Sequence, residues 1–143
     1  MEIEVLLVED SEADAALVEE SMQESKLKVN LHVVEDGVKA ISYLKKEGAY
    51  QKVDTPDIII LDLNLPKKDG REVLEEIKAD EKLKRIPVVV LTTSSAEEDI
   101  FRSYKLHANC YITKPLDFDQ FAKIVASIED FWFTIVKLPP RFE

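Results

Sequence analysis

Two textures alternate along the chain. Short runs rich in leucine and β-branched residues fall at 3–8, 29–34, 58–61, 88–91 and 110–113. Between them lie polar stretches with apolar residues at helical spacing. Leu17, Val18, Ser21 and Met22 form one face, Val38, Ile41 and Leu44 a second, and Val73, Leu74 and Ile77 a third. Ile100, Phe101 and Tyr104 continue the series, followed by Phe118, Phe121, Ile124, Val125 and Ile128. Five strands alternating with five helices predict a parallel sheet covered on both faces.

The runs Ile58-Ile59-Ile60-Leu61 and Val88-Val89-Val90-Leu91 are apolar without alternation, the pattern of strands buried on both sides. Short right-handed crossovers then favour a doubly wound α/β domain, whose ligands sit beyond the carboxyl ends of the strands. The longest predicted loop spans 47–56, broken by Gly48, Asp54 and Pro56. The segment 131–140 holds three consecutive aromatics and a helix-ending Pro pair.

Composition narrows the function classes. A chain of 143 residues predicts one domain. Its net charge of −10 repels nucleic-acid phosphates and anionic membranes, so neither is an expected partner. One cysteine, Cys110, excludes an internal disulfide framework and a cysteine zinc site, and two histidines are too few for a His-rich metal site. No apolar run approaches the ~18 residues of a membrane span. Met1-Glu2-Ile3-Glu4 is acidic where a signal peptide is basic, so the expected compartment is the cytoplasm.

The residues at the strand ends carry the chemistry: Glu9-Asp10-Ser11, Asp36, Asp62, Thr92-Thr93-Ser94 and Lys114-Pro115. If the first and third strands are neighbours, Glu9, Asp10 and Asp62 converge. Three close carboxylates repel and raise at least one pKa, unless a hard cation such as Mg²⁺ takes their oxygens. Thr92 adds a hydroxyl and Lys114 a positive charge. A carboxylate nucleophile, a divalent cation and a lysine together specify phosphoryl transfer to an aspartate.

In this arrangement the chain resembles the response-regulator receiver domains of two-component signalling, over about residues 3–130. The resemblance rests on Val8-Glu9-Asp10, the run from Ile60 to Pro66 with Asp69-Gly70, Leu91-Thr92-Thr93, and Tyr111-Ile112-Thr113-Lys114-Pro115, in that order. It implies a flavodoxin-like α/β fold with strand order 2-1-3-4-5. It also implies Asp62 as phosphoacceptor from the phosphohistidine of a sensor histidine kinase. Asp10, Asp62 and the Asn64 carbonyl would bind Mg²⁺, with Glu9 completing the acidic set. Lys114 would contact the phosphoryl oxygens, through a Lys114–Pro115 bond that is usually cis in the family. Thr92 would turn toward the phosphoryl group as Tyr111 swings inward, a two-state switch. Thr93 replaces a residue that is often small and narrows access to the site, while Asn64 and Ser94 are placed to tune acyl-phosphate lifetime.

The texture of residues 62–74, of Leu106-His107-Ala108-Asn109-Cys110-Tyr111 and of Phe131-Trp132 is similar to the small stand-alone regulators paired with cyanobacterial phytochromes. This makes a phytochrome kinase the expected partner. Residues 1–130 would form the receiver. Residues 131–143 would form an aromatic extension, an interface supporting a homodimer and phosphorylation-dependent contacts with a downstream protein. Such a protein is no enzyme, since it promotes only its own phosphorylation and dephosphorylation.

Blander readings stand beside these. Asp10 and Ser11 are candidate caps of the first helix, where Glu12 and Asp14 favour the positive end. Tyr111 and Cys110 have ordinary readings as core residues, and His32 and His107 carry no assigned role. Lys45-Lys46, Lys67-Lys68 and Lys84-Arg85 are read as solvated surface pairs. The enzyme alternative is a haloacid-dehalogenase-like phosphatase, but its second Asp is replaced by Asn64 in Asp62-Leu63-Asn64. A flavodoxin is disfavoured because Glu9-Asp10 stands where a phosphate-cradling loop belongs.

Overall fold

The computed structural model describes residues 2–24, 28–92, 108, 110–114, 119, 121–123 and 126. Every predicted strand forms, most of them a residue longer than the apolar run: β1 (Glu2–Val8), β2 (Lys28–Val34), β3 (Ile58–Asp62), β4 (Val88–Thr92) and β5 (Cys110–Thr113). They make one parallel sheet in the order β2-β1-β3-β4-β5, the flavodoxin-like arrangement that the receiver resemblance implies.

Alternation along the strands divides the core. On β1, Val5 and Leu7 face the side covered by α1 (Glu12–Gln23), where Val18 and Met22 meet them with Ile60 and Leu91. Leu6, Val8, Ile59, Leu61, Val88 and Val90 face the other side, against α2 (Gly37–Leu44) and α3 (Gly70–Ala79). β3 and β4 are buried throughout, whereas β2, at the sheet edge, is only partly covered. The predicted fourth helix, over Ile100 to Tyr104, lies outside the described residues. Residues 121–123 of the fifth are helical, and Phe121 is buried against the α1-side core.

Capping follows the sequence. The Ser11 side chain accepts from Asp14 N–H, Asp36 from Lys39 N–H and Asp69 from Arg71 N–H, each satisfying a free donor at the start of its helix. The loop predicted over 47–56 contains a 3-10 turn at Gly48–Tyr50.

One helix face differs from expectation. On α2 the buried residues are Gly37, Ala40, Tyr43 and Leu44, while Val38 is 50% exposed. The cause is a backbone approach: a Cβ at position 37 would lie 2.0 Å from the Lys68 carbonyl oxygen. Gly37 must face that loop, which turns Val38 to solvent.

Candidate functional site

The carboxyl ends of β1, β3, β4 and β5 meet at one edge of the sheet. Parallel register sets Val8 beside Leu61, Asp62 beside Leu91 and Thr92 beside Thr113. The chain then continues as loops still tied to the sheet. Glu9 N–H donates to the Val34 carbonyl, Leu63 N–H to the Leu91 carbonyl and Lys114 N–H to the Thr92 carbonyl.

Asp62 is 1% exposed, in phase with Ile58 and Ile60 and so directed to the α1 side of the sheet. Its Oδ1 accepts from Asn64 N–H at 3.0 Å, and its Oδ2 accepts from Lys114 Nζ at 3.1 Å. Glu9 is equally buried, with Oε2 accepting from Ser11 N–H at 3.1 Å. Asp10 is exposed at the rim, and the carboxylate oxygens of Glu9, Asp10 and Asp62 gather within 4.8 Å of one another. Thr92 is fully buried at the end of β4. Glu9, Asp10 and Lys114 therefore converge on Asp62, with Asn64 joining through its backbone N–H and Thr92 ending the adjacent strand.

Lys114 is the counter-charge. Its ammonium lies 2.8 Å from Asp14 Oδ2, 2.9 Å from Glu9 Oε1 and 3.1 Å from Asp62 Oδ2. Burial opposes its charge, but the three carboxylates outweigh burial and hold its pKa above the ordinary lysine value. Glu9 responds the other way. Burial, then the neighbouring Asp62, pushes its carboxyl up to about 7 despite the lysine.

These features fit a hard divalent cation. All donors are oxygen, and Glu9 Oε1 is buried without a geometrically sound hydrogen bond, the Lys114 ammonium standing beside it as an ion-pair partner. The raised Glu9 pKa reflects burial first and the neighbouring Asp62 second, and a cation taking their oxygens relieves both.

Other positions fall outside this group. Tyr111 occupies β5 opposite Val90, but its side chain lies outside the described atoms. Thr93, Ser94, Pro115 (with the expected cis bond), His107 and residues 131–143 also lie outside the described residues. His32, given no role, pairs with Glu4 at 3.1 Å on the sheet edge. Of the pair Lys67-Lys68, Lys67 is solvated as read, its side chain 68% exposed, whereas Lys68 is drawn into an ion pair. Lys68 Nζ is 2.5 Å from Glu76 Oε1, and Lys67 Nζ is 3.7 Å from the buried Asp36 carboxylate. Helical spacing alone does not show these pairings, because they join separate elements around the loop after β3. Asp14 is the functional neighbour that sequence reasoning passed over, having been read only as a helix-end charge.

A family model for the response regulator receiver domain matches residues 5–126. The chain belongs to the response regulator receiver family. It is 52% identical over 135 residues to Response regulator Rcp1 of Synechocystis sp., covering 94% of this chain and 92% of that protein. Among solved structures it is similar to the phosphorylated cyanobacterial phytochrome response regulator RcpA, with a TM-score of 0.84, 52% identity and coverage of 98% of this chain and 100% of that one. The Mn²⁺-bound form of Rcp1 gives a TM-score of 0.81 at 51% identity, over 96% of this chain and 99% of that chain. Receiver membership, with Asn64 in place of a second catalytic Asp, sets aside the dehalogenase-like phosphatase. Among the described residues, no helix is long and apolar enough to cross a membrane.

Proposed function

We propose that this receiver takes a phosphoryl group on Asp62 from the phosphohistidine of a sensor histidine kinase. An Asp62 carboxylate oxygen attacks phosphorus, the phosphorus–nitrogen bond to the imidazole breaks, and its electron pair stays on the ring nitrogen. Glu9, Asp10, Asp62 and the Asn64 carbonyl would hold Mg²⁺, which supplies charge neutralisation for the transferring oxygens. Lys114, 3.1 Å from the Asp62 carboxylate, is within reach of a phosphoryl group placed there. The Thr92 hydroxyl would then turn toward the new anion, and Tyr111 would move inward as it does. The observation that carries this reading is the burial of Asp62 between two other carboxylates and one lysine.

Similarity to RcpA supports a phytochrome as the kinase, and the cytoplasm is the compartment expected for the pair. Residues 1–130 would act as the receiver, slowly removing its own phosphoryl group, with Asn64 and Ser94 setting the rate and Thr93 limiting access. The aromatic segment 131–143 would support a homodimer and present the phosphorylation-dependent surface to a downstream protein. Its apolar side chains Phe131, Trp132 and Phe133 are the reason.

Incubation with a small acyl-phosphate donor and Mg²⁺, followed by intact-mass measurement, tests the central step. Wild type gains one phosphoryl group and Asp62→Asn gains none. Equal labelling of the two would overturn the proposal. Sedimentation of the wild type against a Phe131, Trp132 and Phe133 triple alanine variant tests the dimer, which is removed if the wild type stays monomeric at high concentration.

A further inference from the structure

Asp14 sits in the first turn of α1, where a short acidic residue ordinarily serves the helix end itself. Here its side chain does something else. Asp14 Oδ2 makes the shortest of the three ion pairs around Lys114, at 2.8 Å, and Ser11 N–H, which such a residue often caps, is already taken by Glu9 Oε2. The Asp14 side chain is 26% exposed and that of Lys114 13%, so the pair lies at the rim of a largely closed pocket.

The other two partners of Lys114, Glu9 and Asp62, belong to the carboxylate cluster suited to a divalent cation. Asp14 does not. Among the described residues it is the one carboxylate beside Lys114 that lies outside the cation-binding set. A cation that drew on Glu9 and Asp62 would weaken the hold of two of the three partners of Lys114. A largely buried ammonium left without any would oppose that exchange strongly.

We infer that Asp14 is a positioning residue that retains Lys114 during cation loading, so that the lysine stays in place while Glu9 and Asp62 engage the metal. This rests on the proposed phosphoacceptor site, and it concerns a step before any phosphoryl group arrives.

The test is calorimetric titration of the full chain with Mg²⁺ alone, for wild type, Asp14→Asn, Asp14→Glu and Glu12→Gln. Glu12 is exposed in the same helical turn and carries the same charge, so Glu12→Gln measures the general loss of negative potential. Asp14→Asn should weaken Mg²⁺ binding roughly tenfold, well below the full cost of unpairing a buried charge because Lys114 keeps some solvent contact. Asp14→Glu should recover most of that loss, and Glu12→Gln should change affinity by less than about twofold. Equal losses in Asp14→Asn and Glu12→Gln would overturn the inference, as would an Asp14→Glu variant as weak as Asp14→Asn. Because no phosphodonor is used, a failure of Asp62 labelling would remove the phosphoacceptor reading without affecting how this titration is judged.

Discussion

Lys114 binds the site together in the absence of a metal, because it compensates Glu9 and Asp62, two carboxylates with almost no access to water. Replacing it with a neutral side chain leaves those carboxylates facing each other across a desolvated gap. Lys114→Met should therefore lower stability by about 3 kcal/mol in a chelator, the lower end of the range for breaking a buried pair. Mg²⁺ should restore part of that loss, since a cation binding only the folded state stabilises it. Thermal melts with and without chelator check both signs; an unchanged melting temperature in chelator would contradict the role given to the lysine. Asp62, Glu9 and Lys114 were legible in the sequence because each directly ends or follows a strand. Asp14 was not, because its partner is 100 residues away in sequence and only the placement of β5 beside β4 brings Lys114 to it.

At the scale of elements, the loop after β3 is held from two directions. A Cβ on Gly37 would strike the Lys68 carbonyl oxygen at 2.0 Å, and one on Gly70 would strike the Asp62 carbonyl oxygen at 2.3 Å. Both contacts are with backbone, so neither yields by a rotamer change. Gly70 N–H also donates to the Leu63 carbonyl, which ties the start of α3 to the residue after Asp62. Gly70→Ala should cost about 2 kcal/mol of overpacking and shift the backbone that carries Asp62. Urea unfolding measures the first effect, and the rate of labelling by a small phosphodonor the second; a variant unchanged in both would show that the loop has slack. The apolar pattern located α3 correctly, with Val73, Leu74 and Ile77 all buried. It misjudged α2 because hydropathy favours Val38 over Gly37, whereas the steric demand of the Lys68 carbonyl decides which residue faces inward.

For the whole molecule, Tyr43 is one local contributor to the loss of stability at alkaline pH. Tyr43 joins α2 to the 3-10 turn through its ring contact with Tyr50, at a centroid separation of 5.2 Å. Burial, then the charges of Glu4 and Asp54, pushes its phenol up to about 12. The unfolded chain releases that proton near 10, so between the two values the folded state holds more protons and stability falls as pH rises. The contribution is complete below about pH 10 and amounts to on the order of 2 kcal/mol. Tyr43→Phe should flatten this part of the pH profile in denaturant titrations between pH 9 and pH 12, leaving the neutral range unaffected. An identical alkaline slope in both proteins would assign the loss elsewhere.

The sequence by itself determined the strands, the parallel α/β class and the kinds of group at the strand ends. These depend on local regularities: buried central strands must be continuously apolar, and polar groups begin where a strand leaves the core. Tertiary structure alone decided which charges meet. The β2-β1-β3-β4-β5 order brings Glu9, Asp62 and Lys114 into one pocket and directs Asp14 onto the lysine. Electrostatic partnership depends on distance and burial in space, and neither is written in the spacing of residues along the chain.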